Sequence, residues 1–110
     1  MAPLASPIYE LGLVEAISIP QKECFSGALD FARMEGIVPA PEPTHAIAAA
    51  VREALACKES GEEKVILTAL CGHGHLDLAS YDKYLNGEMV DADLSDEVIA
   101  KAMEAVPVIA

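Results

Sequence analysis

Hydrophobic and polar positions along the chain switch between a helical period and an extended one. Residues 3–12, PLASPIYELG, suit a short helix begun or interrupted at Pro7 and stopped by Gly12. LVEAISI, at 13–19, predicts a short strand bounded by Pro20. In QKECFSGALDFARMEG, Cys24, Ala28, Phe31 and Ala32 recur at helical spacing, and Gly36 is a stop signal. Gly27 costs that helix about 1 kcal/mol relative to Ala, which points to close packing there. IVPAPEP sets two β-branched residues before three prolines, so it predicts a very short strand running into a rigid loop.

The clearest helix begins near Pro43. Ile47, Ala50, Val51, Ala54 and Leu55 form one apolar stripe, with Arg52, Glu53 and Lys58 elsewhere, and SGEEK ends it. VILTAL, at 65–70, is a continuous apolar run of the kind that makes a strand buried on both faces. A Gly-rich turn follows, then LASYDKYL as a short helix ended at Asn86 and Gly87. LSDEVIAKAMEAV predicts a last amphipathic helix with Ser95 as N-cap. Val98 stands where a full capping box needs Glu or Gln.

Strands separated by helices of this length imply parallel pairing through right-handed crossovers. The expected class is α/β, a three-layer α/β/α arrangement with a short, mainly parallel sheet of about three strands. That is fewer than the usual five or six or so, and hints at a piece of something larger. The division expected is 1–85 as the folded part and 86–110 as a helical tail.

The length of 110 residues suits one small domain. The net charge of −11, from 7 basic and 18 acidic residues, speaks against nucleic acid and anionic membranes as partners. Trp is absent and aromatics make up 5%, too few for base-stacking platforms. No stretch approaches the roughly 20 apolar residues of a membrane span. The opening MAPLASPIYELG lacks the pattern of a secretory signal. Cys24, Cys57 and Cys71 are an odd number without framework spacing and read as reduced thiols in a cytoplasmic protein. The hydrophobic fraction of 53% is high, and part of that surface suits a partner or a missing part of the protein.

Chemistry concentrates in CGHGHLD, where Cys71, His73, His75 and Asp77 alternate with Gly72, Gly74 and Leu76. On an extended strand the four would share a face, and thiolate with imidazole suits zinc. The glycines oppose a continuous strand, and neither CxxC nor HExxH occurs, so metal is a minority reading. As a nucleophile Cys71 needs a base and a lowered pKa; a buried Cys at a strand end is more often inert. The GHG triplet matches no phosphate loop, yet a turn beyond a strand's carboxyl end is where open α/β sheets bind ligands. The second cluster is EGIVPAPEPTHA. Glu35 ends a helix there, which is ordinarily just a solvated terminus. His45, in the first turn of the next helix, is more often structural than catalytic.

Taken together, ARMEGIVPAPEPTHAIAAAVREAL followed by KVILTALCGHGHLDLASYDKYL resembles the C-terminal region of tryptophan synthase β chains, nearest the divergent second, β-like lineage. MAPLASPIYELGLVEAISIPQKECFSGALDFAR resembles the stretch before it, and Met1 resembles an internal methionine of the family pattern. The likeness runs to about Leu85, with two separate motifs in order. It implies part of a type II pyridoxal-phosphate fold and a cytoplasmic lyase family that joins serine and indole into tryptophan. By resemblance Glu35 matches the glutamate beside the cofactor ring, Cys71 the position facing the pyridine nitrogen, and Gly72 the glycine packed next to it. Cys71 departs from the usual Ser, and a thiol is a weaker donor.

The resemblance also marks what the chain does not carry. The family's cofactor-bound lysine follows a His in the N-terminal half, and a Gly-Gly-Gly-Ser-Asn loop upstream holds the phosphate. Neither occurs here, and Lys22, Lys58, Lys64, Lys83 and Lys101 match no such context. The chain is therefore expected to supply one wall of the pocket, to lack activity alone, and to bind no pyridoxal phosphate by itself. Its expected partner is the missing N-terminal part or a second copy. Two other readings stand beside this one: a non-catalytic, self-associating assembly domain, and a small metal-binding protein using Cys71, His73 and His75.

Overall fold

A computed structural model describes residues 5–91, 95–104 and 106. Its described elements are α1 (Ala5–Glu10), α2 (Gln21–Glu35), α3 (Pro41–Ser60), a 3₁₀ turn (Gly74–Leu76), α4 (Leu78–Leu85) and α5 (Asp96–Met103). Pro and Gly punctuate them as expected. Gly36 closes α2 in the left-handed region at φ 70°, its N–H donating to the Ala32 carbonyl. Gly61 closes α3 the same way at φ 74°. Pro41 opens α3, two residues before the predicted start, at a position where its missing N–H costs nothing. The Ser95 side chain accepts from the Val98 N–H at the start of α5. The parts of these readings that fall on residues 3–4, 94 and 105 lie outside the described residues.

The three-layer α/β/α fold with a parallel sheet is not what forms. Among the described residues there is no strand; the one ladder pairing is an isolated antiparallel bridge between Pro39 and His73. Residues 13–19 and 65–70 run without regular structure. The physical reason is that an apolar run becomes a strand only when its backbone pairs with another, and no backbone hydrogen bond of 65–70 is described. That run, read as doubly buried, is open to solvent: Val65 is 99% exposed and Leu67 94%. The α3 stripe is likewise covered only at its beginning. Ile47 is buried with Pro43, Thr44 and Ala48, while Val51 and Leu55 are exposed.

What core there is forms where α2 meets α3 and α4. Phe25 is 1% exposed and Ala28 is fully buried, packed with Tyr81 and Met89, and with Leu29, Val38 and Tyr84 at the margin. Phe25 meets the Tyr81 ring edge-on at 5.0 Å between centroids and stacks on Tyr84 at 5.7 Å. A second cluster joins Ile19 and Cys24 to Ala48 of α3. An Arg52–Glu23 pair, two-pronged and exposed, ties α3 to α2, and the guanidinium lowers the Glu23 carboxyl below its ordinary value. The chain after α4 turns back: Met89 enters the core, and the Asp91 carboxylate accepts the Lys22 backbone N–H at 2.9 Å. It thereby caps α2, whose own Pro20 N-cap makes no side-chain hydrogen bond. No helix among the described residues is long and apolar enough to cross a membrane.

The α2–α3 crossing also answers the Gly27 question. A Cβ there would sit 3.7 Å from the Ala48 backbone and the Ile47 Cγ2, which is ordinary van der Waals contact. The space is open to one methyl group, so close packing does not demand glycine. Gly27→Ala is expected to raise stability by about 1 kcal/mol through reduced chain entropy. Urea denaturation followed by circular dichroism checks this; a loss of stability would mean the helices approach more closely than described.

Candidate functional site

The two clusters singled out in the sequence are held together. After α2, residues 37–40 run extended and meet residues 72–74 head to tail. The Ala40 N–H donates to the Gly72 carbonyl at 3.1 Å, and the Gly74 N–H donates to the Val38 carbonyl at 2.7 Å. These bonds flank the Pro39–His73 bridge. Pro39 thus occupies the non-hydrogen-bonded position of an antiparallel pair, where a residue donates nothing to its partner. A proline is tolerated there for that reason.

The Pro39 carbonyl takes no part in the bridge's hydrogen bonds and the residue is fully buried, so it needs a donor. The Tyr81 hydroxyl supplies one at 2.6 Å, reaching across from α4. Burial raises the Tyr81 phenol above its ordinary value, keeping it protonated as a donor. The glycines follow from the same closeness. A Cβ on Gly74 would overlap the Pro39 carbonyl oxygen and touch Val38 Cγ1, and one on Gly72 would come within 3.0 Å of the Ala40 Cβ. Backbone contact therefore requires glycine at 74, while Gly72 sits tightly against the Ala40 methyl group.

Glu35 is the last residue of α2, exposed, three residues before Val38. Among the described residues no hydrogen bond or ion pair engages its carboxylate. Cys71 is an exposed free thiol one residue before the pinned turn, and Gly72 lies half-buried within it. The bridge brings the segments bearing all three to one junction.

The alternation of ligand types does not gather into a metal site. Among the described residues no group of three His, Cys, Asp or Glu side chains is placed to hold an ion. The 3₁₀ turn at Gly74–Leu76 breaks the extended period. His73 and His75 are left with rings tilted by 58° at 4.8 Å, and Asp77 closes the turn through its N–H to the Gly74 carbonyl. A different thiol finds an imidazole: Cys24 Sγ lies 3.2 Å from His45 Nδ1. Cys24 is buried, and burial pushes its thiol up, with Glu23 and Asp91 adding to the rise, so it stays protonated and holds α2 to α3. Sequence reasoning missed Tyr81 and the Pro39 carbonyl. The visible signal was the second glycine of GHG, which has no use in an isolated turn.

No family model matches the chain. Individual relatives do. It is 60% identical to a tryptophan synthase beta chain 2 of Aquifex aeolicus over 90 residues, 82% of this chain and 21% of that one. The corresponding protein of Methanosarcina mazei is 59% identical over 88 residues, covering 80% and 20%. That of Pyrococcus furiosus is 43% identical over 107 residues, covering 97% and 24%. The chain thus spans about a fifth of the length of the curated relatives it matches. Identity at this level over most of the chain marks it as sequence from a class of much longer enzyme chains. It belongs to the tryptophan synthase β chain family.

Two substitutions probe the junction. Tyr81→Phe should cost about 1–3 kcal/mol, because it leaves a buried carbonyl without a donor. Gly74→Ala should cost at least as much by forcing 72–74 off 38–40. Equilibrium denaturation measures both, and values within about 0.5 kcal/mol of the parent would mean the two segments are not joined as described.

Proposed function

We propose that the chain supplies one wall of a pyridoxal-phosphate pocket in a β-like tryptophan synthase, and that it has no activity alone. The observation that carries this reading is the pair of hydrogen bonds joining 38–40 to 72–74. They bring together the two segments that resemble the family's cofactor-side motifs. The residues present fit one side of a flat nitrogen heterocycle: an exposed thiol, an unpaired carboxylate, and a glycine turn whose backbone is immobilised from behind. They do not fit a whole site, since neither joined segment carries a lysine.

Bound pyridoxal phosphate would supply an electron sink for chemistry at the α and β carbons of an amino acid. Cys71 would offer its S–H to the ring nitrogen as a weak donor without delivering a full positive charge to the ring. Glu35 would set an acceptor and a negative charge beside the ring. Gly72 would hold Cys71 in place through its carbonyl, which accepts the Ala40 N–H. In our reading the described residues up to 85 form this wall in a cytoplasmic enzyme with reduced cysteines, and Met89 and Asp91 tie the following segment to its core.

The test is reconstitution. The chain is co-expressed with the remaining N-terminal part of the Aquifex aeolicus relative, and cofactor absorbance and tryptophan formation from serine and indole are measured. The assembled protein should show both and the chain alone neither. Glu35→Gln should lower turnover about tenfold or more, whereas Cys71→Ser should retain it. Turnover by the chain alone, or an inert assembly, would contradict the reading.

A second reading concerns association of the isolated chain. Residues 65–70 present apolar side chains and a backbone that makes no described pairing, which is a template for strand addition. Alone, the chain should sediment as dimers or larger species, and Leu67→Lys should shift it toward monomer. A monomeric profile of the parent across micromolar concentrations would count against self-association.

A further inference from the structure

Glu35 and Cys71 are exposed, and among the described residues neither side chain makes a hydrogen bond or ion pair. Their placement relative to each other is therefore decided by the backbone. Glu35 connects to the junction through Gly36 and Ile37, and Cys71 connects directly to Gly72. Two hydrogen bonds join the segments, and the Tyr81 hydroxyl adds a third contact from α4, at 2.6 Å on the Pro39 carbonyl. Pro39 pairs with His73, so that contact falls between the other two bonds. Tyr81 has two separable parts. Its buried ring lies edge-on to Phe25 in the helix core, and a phenyl ring would keep that packing. Its hydroxyl serves the junction, tying it to α4 as well as across itself.

We propose that Tyr81 is a positioning residue of the enzyme: through the Pro39 carbonyl it holds the segments bearing Glu35 and Cys71 at the spacing turnover requires. The inference rests on the wall reading and adds to it a residue that touches no ligand. A displacement of about 1 Å at a reacting centre costs up to about a hundredfold in rate. Loss of the hydroxyl therefore belongs in kcat. Substrate affinity, set by groups elsewhere in the enzyme, stays as it was.

Tyr81→Phe is tested in the isolated ¹⁵N-labelled chain and in the assembly with the N-terminal part of the Aquifex aeolicus relative. Ile19→Val serves as control, since it trims the other core cluster and keeps the hydroxyl. In the isolated chain the amide signals of Glu35, Ala40, Cys71 and Gly74 should shift or broaden in Tyr81→Phe, while that of Ala28 in α2 stays. In the assembly, turnover is counted per bound cofactor, which removes any difference in folded fraction. Tyr81→Phe should lower kcat about tenfold, with KM for serine and indole within about twofold of the parent. Ile19→Val should keep kcat within about twofold. The proposal is overturned by unmoved Glu35 and Cys71 signals, by unchanged kcat, by a loss expressed in KM alone, or by an equal loss in Ile19→Val. A Tyr81→Phe chain that does not fold or assemble also overturns it, because the hydroxyl then serves folding and not position. An inert parent assembly removes the wall reading and this inference with it. An active parent with an unaffected Tyr81→Phe removes this inference alone.

Discussion

The structure turns on a carbonyl that has to find a donor. Pro39 is buried and has no N–H, so it sits where an antiparallel pair asks for none, and its oxygen is left out of that pair's hydrogen bonds. The Tyr81 hydroxyl satisfies it. Other features follow from that single contact. Tyr81 must lie against Phe25, which sets α4 on α2. The turn before α4 must come close enough for Gly74 to donate to Val38, which excludes a Cβ at 74. The helix core and the candidate site are thus one construction, with Val38 packed at the edge of the core cluster.

Punctuation was the legible part of the sequence. Gly36 and Gly61 end helices because they alone take the left-handed conformation cheaply, and Ser95 caps because its oxygen reaches Val98. These are local effects and need no knowledge of the rest of the chain. The sheet was illegible because strand formation is not local. VILTAL states that five of six positions are apolar, not that another backbone will pair with them, and Val65 and Leu67 are left in solvent. The apolar stripe of α3 misled in the same way beyond Ile47. Of the candidate site, residue types and order were readable at Glu35, Cys71 and Gly72. The Tyr81–Pro39 bond joins positions 42 residues apart, and no spacing rule connects them.

The chain spans about a fifth of the length of its relatives, and much of its apolar surface is uncovered. The apolar groove beside α2 and α3, lined by Phe31, Val51, Ala54 and Ile66, is open, as is the outer face of 65–70. By contrast, the junction of 38–40 with 72–74 is closed by this chain's own residues on its inner side. In our reading that asymmetry is functional: the wall is built from within, and its outward side is left for a ligand and for the rest of the enzyme.

Amide hydrogen exchange on the isolated chain tests the central claim most directly. If the two segments are joined, the Ala40 and Gly74 amides exchange as slowly as core amides of α2 such as Ala28, while those of 65–70 exchange freely. Exchange of Ala40 and Gly74 as fast as that of 65–70 would contradict the account.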